Sequence, residues 1–397
     1  MADSSEHWAA RGSPARILCS VILLLFCVIT PFVLLKYILL PQRDPNDYFA
    51  FRSFASFVRV HPPALIYDVD VLNQFQLQIH GKFFPYLYHP GMLLLVWPIA
   101  CLPYVLGWVV WIGVGLLAYI VAVDGPKGNV AVVLAALVAP STLWVVMCGQ
   151  STLLAAALLF GGFRLLPRQP VLAGLLFGLL FYKPQFGVLV PVALVAAGQW
   201  RAILSAFVTV MLVVLTSAAA FGWSIWATWL HHLPSIGNII STNLLALNAL
   251  MATVTSNLVT LGLTPGHAHL VQMASSLGAA IVVWCCFRRN TGMLGAVVVA
   301  VSTFLTTPYA FGYDMPILTA AVIVFINERW QRDDAFSFPE ILVLTASFLL
   351  PYCVISVVFF RFSSLVILAL LWVVVRRIWT ARAEVTVSQL SFTTAMA

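Results

Sequence analysis

The sequence predicts an all-α integral membrane protein with about twelve spans. Of its 397 residues, 62% are hydrophobic and 8% are charged, whereas an ordinary soluble domain carries about 25% charged residues. So few charges could not solvate the surface of a soluble fold of this length. Apolar runs recur from Ile17 to Ile378, and runs of this kind are typical of membrane helices. We therefore expect a single transmembrane domain over residues 1–397.

The predicted spans form three groups that are separated by two long segments. A first span is followed by an outer loop, 41–102, and six spans then lie within 103–222. A second outer segment, 223–267, precedes five spans within 268–376 and a cytoplasmic tail, 377–397. The predicted spans are 17–40, 103–123, 129–146, 150–166, 170–182, 184–200, 202–222, 268–287, 292–306, 315–327, 339–357 and 362–376.

The basic residues predict the orientation of these spans. With the N-terminus inside, thirteen of the 20 Lys and Arg residues fall inside, and most of the remaining seven lie in one long loop. Because short cytoplasmic loops carry an excess of Lys and Arg, we expect both termini to be cytoplasmic. The two long segments then face the opposite compartment. The net charge of +7 is explained by topology and does not indicate nucleic acid as a partner.

Both long segments predict helices that lie in the membrane interface. In the first, a helix is expected to begin at Asp47, because Phe51, Phe54 and Phe57 share one helical face and polar side chains share the other. This pattern is typical of an amphipathic interfacial helix. The second segment is mildly apolar over 244–261, with polar residues scattered through it.

The residues with chemical capacity collect on the predicted outer face. Lys183 and Asp314 are each flanked by apolar sequence, and an ionisable group at membrane depth costs at least ~2.5 kcal/mol unless it meets water or a partner. They are either a structural ion pair or snorkelling groups, or a site for an anion or polar substrate. Asp47 likewise fits a helix cap or a catalytic acid or base. The cysteines and histidines show no metal-ligand spacing, so no metal is expected.

Several motifs occur in a fixed order along the chain. They are Asp47-Tyr48, Leu65-Ile66-Tyr67-Asp68, Pro85-Tyr86-Leu87-Tyr88-His89-Pro90, Gly149-Gln150, Lys183-Pro184-Gln185 and Pro308-Tyr309-Ala310-Phe311-Gly312-Tyr313-Asp314. In this order they resemble glycosyltransferase family 87, the membrane enzymes that use polyprenyl-phosphate sugars. The similarity runs over roughly 40–330. Two positions depart from the family pattern: Ser151 stands where Asn usually follows Gly-Gln, and Leu244–Leu250 replaces a motif that bears on acceptor specificity.

The resemblance implies a GT-C fold in the bacterial inner (plasma) membrane with an active site that faces the periplasm. It implies inverting transfer of a hexose such as mannose from a polyprenyl-phosphate donor to a glycan or glycolipid acceptor. Membrane lipids, the donor and the acceptor are the partners, and no cofactor or divalent metal is required. On this basis Asp47 is the predicted catalytic base. The predicted substrate-binding residues are Lys183, for the lipid phosphate, and Tyr48, Asp68, His89, Gln150, Tyr313 and Asp314.

Two other classes of protein share the span-rich composition. A transporter or translocase of lipid-linked glycans would show internal repeats and polar residues near the membrane midplane. The sequence contains no repeat, and its polar positions are on one predicted side. A non-catalytic partner in envelope assembly would fit the missing motif near 245–252. Donor-dependent sugar transfer separates the enzyme from both alternatives.

Overall fold

The computed structural model of the chain describes most residues from 47 onward. It leaves out 126–127, 235–249, 290–291, 333, 356–360 and 397, together with the side chains of 80, 353–355 and 381–396. The predicted first span, 17–40, and part of the second outer segment therefore lie outside the described residues.

The described residues are almost entirely helical. Within them the one strand-like feature is an antiparallel bridge between Met251 and Phe311. The α-helices are α1 (Asp47–Val60), α2 (Val69–His80), α3 (Met92–Val96), α4 (Tyr104–Asp124), α5 (Val130–Val138), α6 (Pro140–Cys148), α7 (Thr152–Leu165), α8 (Pro170–Leu179), α9 (Val190–Ala196), α10 (Trp200–Phe221), α11 (223–234), α12 (Val254–Thr260), α13 (Pro265–Phe287), α14 (Met293–Thr306), α15 (Pro316–Trp330), α16 (Phe338–Leu349) and α17 (Ser363–Met396).

The structure confirms a helical membrane protein and leaves the count of twelve spans as a prediction. By length and composition, α4, α10, α13 and Ser363–Thr380 of α17 could cross a membrane, and α5 with α6 forms a fifth span if this pair, bent by 52°, counts as one. The other predicted spans correspond to shorter helices where the structure describes them. The predicted cytoplasmic tail continues α17 as helix to Met396.

The short helices form the core of the bundle. Helices α7 and α14 have 14 residues each, which gives a length of about 21 Å, less than the ~30 Å of the hydrocarbon layer. Every residue from Leu294 to Leu305 in α14 is buried. Because protein surrounds these helices, their ends need not reach the membrane surface, and irregular backbone next to them is shielded from lipid.

Glycines in α8 explain why this helix lies so close to α10. A Cβ atom on Gly174 would lie 2.3 Å from the carbonyl oxygen of Ala202, and one on Gly178 would lie 2.5 Å from the Cβ of Thr209. Small residues allow two membrane helices to approach closely. This contact fixes the position of α8, whose C-terminal end leads through a 3-10 turn, Leu180–Tyr182, to Lys183.

Helix α1 begins as predicted at Asp47, and its Phe51, Phe54 and Phe57 side chains are buried. The opposite, polar face of α1 makes contacts within the protein that the prediction of an interfacial helix did not include. Arg52 donates from Nη1 to the carbonyl oxygens of Leu102, at 2.6 Å, and Ile99, at 3.1 Å. The polar face of α1 therefore contacts the turn Trp97–Cys101 and the residue after it, and the position of α1 relative to the membrane stays a prediction.

Candidate active site

The carboxylate of Asp47 lies beside the amide of Gln150, which donates from Nε2 to Oδ2 at 2.8 Å. Among the described residues, Gln150 is the hydrogen-bond partner of this carboxylate, so Oδ1 is left for a ligand. Burial raises the pKa of Asp47 above its usual value, and the Gln150 hydrogen bond and the charge of Lys183 oppose this effect. A carboxylate with a raised pKa is a stronger base.

Glycine at position 149 is what allows this pair to form. Gly149 has φ +74°, and a Cβ atom there would lie 2.3 Å from the Cβ of Tyr48. The left-handed conformation and the close approach both exclude a larger residue. The indole of Trp111 donates to the carbonyl oxygen of Gly149 at 3.0 Å. The Gly-Gln motif thus brings the end of α6 against the first turn of α1.

Tyr48, predicted to bind substrate, is fully buried. Its hydroxyl donates to the carbonyl oxygen of Tyr104 at 3.1 Å. Tyr104 is the first residue of α4, so this hydrogen bond attaches α1 to that helix. The hydroxyl of Tyr48 is therefore used within the fold, and its role toward a substrate stays a prediction.

Lys183, Asp314 and Thr152 form a second buried polar group. The Nζ atom of Lys183 lies 2.9 Å from Oδ1 of Asp314 and 2.7 Å from Oγ1 of Thr152, which itself donates to Oδ1 of Asp314 at 2.9 Å. Lys183 is 3% exposed and Asp314 is 2% exposed. The Lys183–Asp314 ion pair, which was one of the interpretations of these two residues from the sequence, is therefore present. An ammonium group has three donors, and these two contacts use two of them.

The two polar groups are joined by consecutive residues at the start of α7. Gln150 contacts Asp47, Thr152 contacts Lys183 and Asp314, and Ser151 lies between them. The carbonyl oxygen of Ser151 accepts a hydrogen bond from the Tyr182 hydroxyl at 2.7 Å. Residues 47, 150, 152, 183 and 314, which we call the central cluster, therefore form one site. The sequence did not single out Thr152, although a hydroxyl directly after Gly-Gln at a helix start was a usable signal.

Tyr313 lies next to the central cluster, as predicted for a residue near the substrate. Its ring stacks on Phe311 with centroids 5.1 Å apart, and Nζ of Lys183 lies 5.5 Å from its ring centroid. The main chain of the same turn also holds the cluster, because the Phe311 N–H donates to Oδ2 of Asp314 at 3.0 Å. The motif Pro308–Asp314 thus supplies both a carboxylate and an aromatic wall.

His89, predicted to bind substrate, is held by the main chain. Its Nε2 lies 2.8 Å from the carbonyl oxygen of Phe181, and its Nδ1 accepts from the N–H of Gly91 at 3.1 Å. Those partners assign the proton to Nε2 in a neutral ring. Burial lowers the pKa of His89 to about 4, so the ring stays neutral at physiological pH. Its contact with Phe181 fixes the turn that precedes Lys183.

Asp68 has a local role in the structure. Its Oδ1 accepts from the N–H groups of Asp70 at 3.0 Å and Val71 at 3.1 Å, so it is the N-cap of α2. The residue is exposed and makes no described contact with the central cluster. The structure therefore gives Asp68 the capping role that an acid at a helix start commonly has.

The site is built from oxygen, amide and ammonium groups. Within the described part of the chain, no group of three or more His, Cys, Asp or Glu residues could hold a metal ion. Among the described residues, the central cluster offers a carboxylate oxygen of Asp47 without a hydrogen-bond partner, a further donor on Lys183, and tyrosines at its edge. Such a set suits a ligand that carries both hydroxyl groups and an anionic group.

Comparison with known proteins identifies the family of the chain. The model of glycosyltransferase family 87 matches residues 86–308, which is more than half of the chain and includes Gln150, Thr152 and Lys183. The match is narrower than the resemblance over 40–330, so Asp47 and Asp314 flank it. Comparisons with curated proteins and with solved structures found no match. The chain belongs to glycosyltransferase family 87.

Proposed function

We propose that this glycosyltransferase moves a hexose, such as mannose, from a polyprenyl-phosphate donor to a glycan or glycolipid acceptor at the outer face of the bacterial inner membrane. The observation that carries the proposal is the central cluster. It holds a carboxylate with a free oxygen and a raised pKa next to a buried lysine. These are the two groups that transfer from a sugar phosphate requires: a base for the acceptor and a cation for the leaving phosphate.

Asp47 is the proposed base. The acceptor oxygen attacks the anomeric carbon while the bond between that carbon and the phosphate oxygen breaks. The electron pair of this bond leaves with the phosphate, and the acceptor proton moves to the Asp47 carboxylate. One base is sufficient for a single displacement, which inverts the anomeric carbon, whereas double displacement requires a second carboxylate as nucleophile. Gln150 orients Asp47 by holding Oδ2 and leaving Oδ1 for the acceptor.

Lys183 is the proposed partner of the lipid phosphate. Its ammonium group is held by Asp314 and Thr152, so it is positioned before any ligand arrives, and its third donor is left for a phosphate oxygen. A positioned charge stabilises the developing negative charge without reorganisation at the moment of reaction. No divalent metal is needed in this scheme.

The distribution of basic residues supports an outward-facing site. Helix α7 runs from Thr152, in the central cluster, to Arg164 in its last turn. Helix α15 runs from the residues after Asp314 to Arg329 in its last turn. The basic residues therefore lie at the ends of these helices that are remote from the cluster, and the positive-inside rule puts those ends in the cytoplasm.

The remaining alternatives are a translocase of lipid-linked glycans and a non-catalytic assembly partner. A translocase needs polar groups along its path. Between the central cluster and Arg329, however, α15 is buried and apolar from Ile317 to Phe325 except for Thr319. This favours an enzyme over a translocase.

Donor-dependent transfer by the purified protein tests the proposal. Radiolabelled polyprenyl-phosphate mannose, glucose or galactose is incubated with the protein and the glycolipid fraction of a strain that lacks its gene. We expect label to appear in a glycolipid only when the protein is present. A folded protein that transfers none of the three sugars, while the deletion strain accumulates an unextended glycolipid, would favour an assembly role.

A further inference from the structure

Eight tyrosine hydroxyls of the described residues fall into two groups. In the first group, each hydroxyl donates to a main-chain carbonyl oxygen and is used by the fold: Tyr48, Tyr67, Tyr86, Tyr119 and Tyr182. In the second group, the hydroxyls of Tyr88, Tyr309 and Tyr313 have no hydrogen-bond partner among the described residues, and all three side chains are partly exposed. A phenol both donates and accepts, so these three have unused capacity.

Tyr88 lies close to Asp47 and Asp314 of the central cluster. Its ring contacts Phe51, one helical turn after Asp47, with centroids 5.9 Å apart. The next residue, His89, bonds to the carbonyl oxygen of Phe181, two residues before Lys183. The Tyr88 carbonyl oxygen accepts the hydroxyl of Tyr67 at 2.7 Å. Tyr88 is therefore fixed at a point from which it can reach a ligand held between Asp47 and Lys183.

Tyr309 lies in the turn that carries Asp314, close to Tyr88. Its carbonyl oxygen accepts from Oγ1 of Thr307 at 2.8 Å. The next residue, Ala310, pairs with the second outer segment, because the N–H of Ala252 donates to its carbonyl oxygen at 2.8 Å. This pairing fixes the backbone of the turn on both sides of Tyr309.

The surroundings keep all three phenols protonated. Burial raises the pKa of Tyr309 to about 12, and the charge of Asp314 adds to this effect. Burial, with Asp47 and Asp314, raises the pKa of Tyr88 and Tyr313 well above the usual value. They therefore remain hydrogen-bond donors in a site where Asp47 and Asp314 are acceptors.

We propose that Tyr88 and Tyr309, together with Tyr313, bind the hydroxyl groups of the sugar ring of the donor between Asp47 and Lys183. The proposal rests on the proposed function, because it assumes a sugar-bearing lipid as ligand. A sugar offers many groups that both donate and accept, which matches phenol donors placed among carboxylate acceptors. The polyprenyl chain offers none. The subsite therefore recognises the sugar, whereas Lys183 recognises the phosphate that any polyprenyl phosphate carries.

The test compares the binding of sugar-bearing and sugar-free lipids. The probes are polyprenyl phosphates that carry mannose, glucose or galactose, and polyprenyl phosphate itself, with binding followed through tryptophan fluorescence of the purified protein. We expect the wild type to prefer at least one sugar-bearing probe. Tyr88→Phe and Tyr309→Phe should each reduce that preference by about threefold to tenfold, the range for one lost hydrogen bond, without changing the affinity for polyprenyl phosphate. The matched control is Tyr119→Phe, which loses a hydroxyl bonded to Pro316 and should keep the preference.

Deoxy analogues of the preferred probe give a second test of the same contacts. Removing one of the ring hydroxyls should weaken binding to the wild type and have a smaller effect on Tyr88→Phe or Tyr309→Phe. Wild-type preference in both Phe variants would overturn the inference, and so would equal binding of all probes by a wild type that transfers sugar. A wild type that neither transfers sugar nor binds any of these lipids would contradict the proposed function and this inference with it.

Discussion

The two ends of helix α7 use charge in different ways. At one end, Arg164 donates from Nε to the carbonyl oxygen of Ala122 at 3.0 Å and from Nη2 to that of Val123 at 2.9 Å. These bonds satisfy two carbonyl oxygens in the last turn of α4, so the guanidinium of Arg164 stabilises the fold. At the other end, Thr152 belongs to the central cluster, where Oδ1 of Asp47 has no hydrogen-bond partner among the described residues. A group that could act on a ligand is therefore found at the end of α7 where a polar atom has no partner among the described residues.

A second pair at the end remote from the central cluster supports this comparison. The guanidinium of Arg377 holds both carboxylate oxygens of Glu340 and lies 3.3 Å from Oδ1 of Asp334. The N–H and hydroxyl of Ser337 also donate to Glu340, at 2.8 and 2.9 Å. The acceptors of Glu340 are thus fully used to join α16 to α17. By contrast, the central cluster leaves groups for a ligand among the described residues: one oxygen of Asp47 and one donor of Lys183.

The largest effect is expected from breaking the Lys183–Asp314 pair. Lys183→Met leaves the buried Asp314 carboxylate without a cation, so we expect the free energy of unfolding to fall by about 3–5 kcal/mol. Lys183→Met/Asp314→Asn removes both charges and keeps an acceptor for the Phe311 N–H, so it should recover most of the loss. Thermal unfolding in detergent measures both variants.

The double variant also separates the two roles of the pair. If Lys183 binds the donor phosphate, Lys183→Met/Asp314→Asn is folded and transfers sugar poorly. Transfer at the wild-type rate would mean that the pair is only structural, like the arginine contacts at the other end of the bundle.

A smaller effect is expected from the close approach at the Gly-Gln motif. Gly149→Ala should lower the free energy of unfolding by about 2–4 kcal/mol, because it adds overpacking against Tyr48 to the cost of a positive φ. The matched control is Gly81→Ala, which has φ +73° and open space around the added carbon, and it should cost about 1–2 kcal/mol. Equal losses of unfolding free energy in the two variants would show that Tyr48 moves away from the added carbon at no cost.

The smallest effect on activity is expected at the end remote from the central cluster. Glu340→Gln weakens the charged hydrogen bonds to Arg377 and should lower the free energy of unfolding by about 1.5–3 kcal/mol. Transfer per folded molecule should stay within about twofold of the wild type, because no described residue at this end contacts the central cluster. A tenfold loss of transfer by stably folded Glu340→Gln would show that this end of the bundle also affects catalysis, which would contradict the proposed difference between the two ends.

Local chemistry made some of the site predictable. Lys183 and Asp314 were both identified because a charge within apolar sequence is costly, and the start of α1 at Asp47 followed from the pattern of its phenylalanines. The sequence could not show that the two charges pair, since 131 residues separate them, or that Gln150 contacts Asp47. Such contacts depend on how α1, α6 and α7 pack.

Asp47 and Asp68 show most clearly why other side-chain contacts could not be predicted from the sequence. Both are acids at helix starts, and the sequence gives them the same local signal. In the structure, Asp68 turns to its own helix and caps it, whereas Asp47 meets Gln150 from another helix. Tyr48 and His89 were predicted to bind substrate from the family resemblance, and the sequence could not show that both side chains also bond to the main chain.

The rate of sugar transfer by Asp47→Asn, measured beside Asp68→Asn with the donor that the wild type uses, tests the central claim most directly. Asn keeps size and most hydrogen bonding, so both variants should fold with stability within ~1 kcal/mol of the wild type. If Asp47 is the base, Asp47→Asn binds the donor yet transfers sugar slower by a factor on the order of 10² or more, and Asp68→Asn transfers normally. Transfer by Asp47→Asn at the wild-type rate would contradict this account.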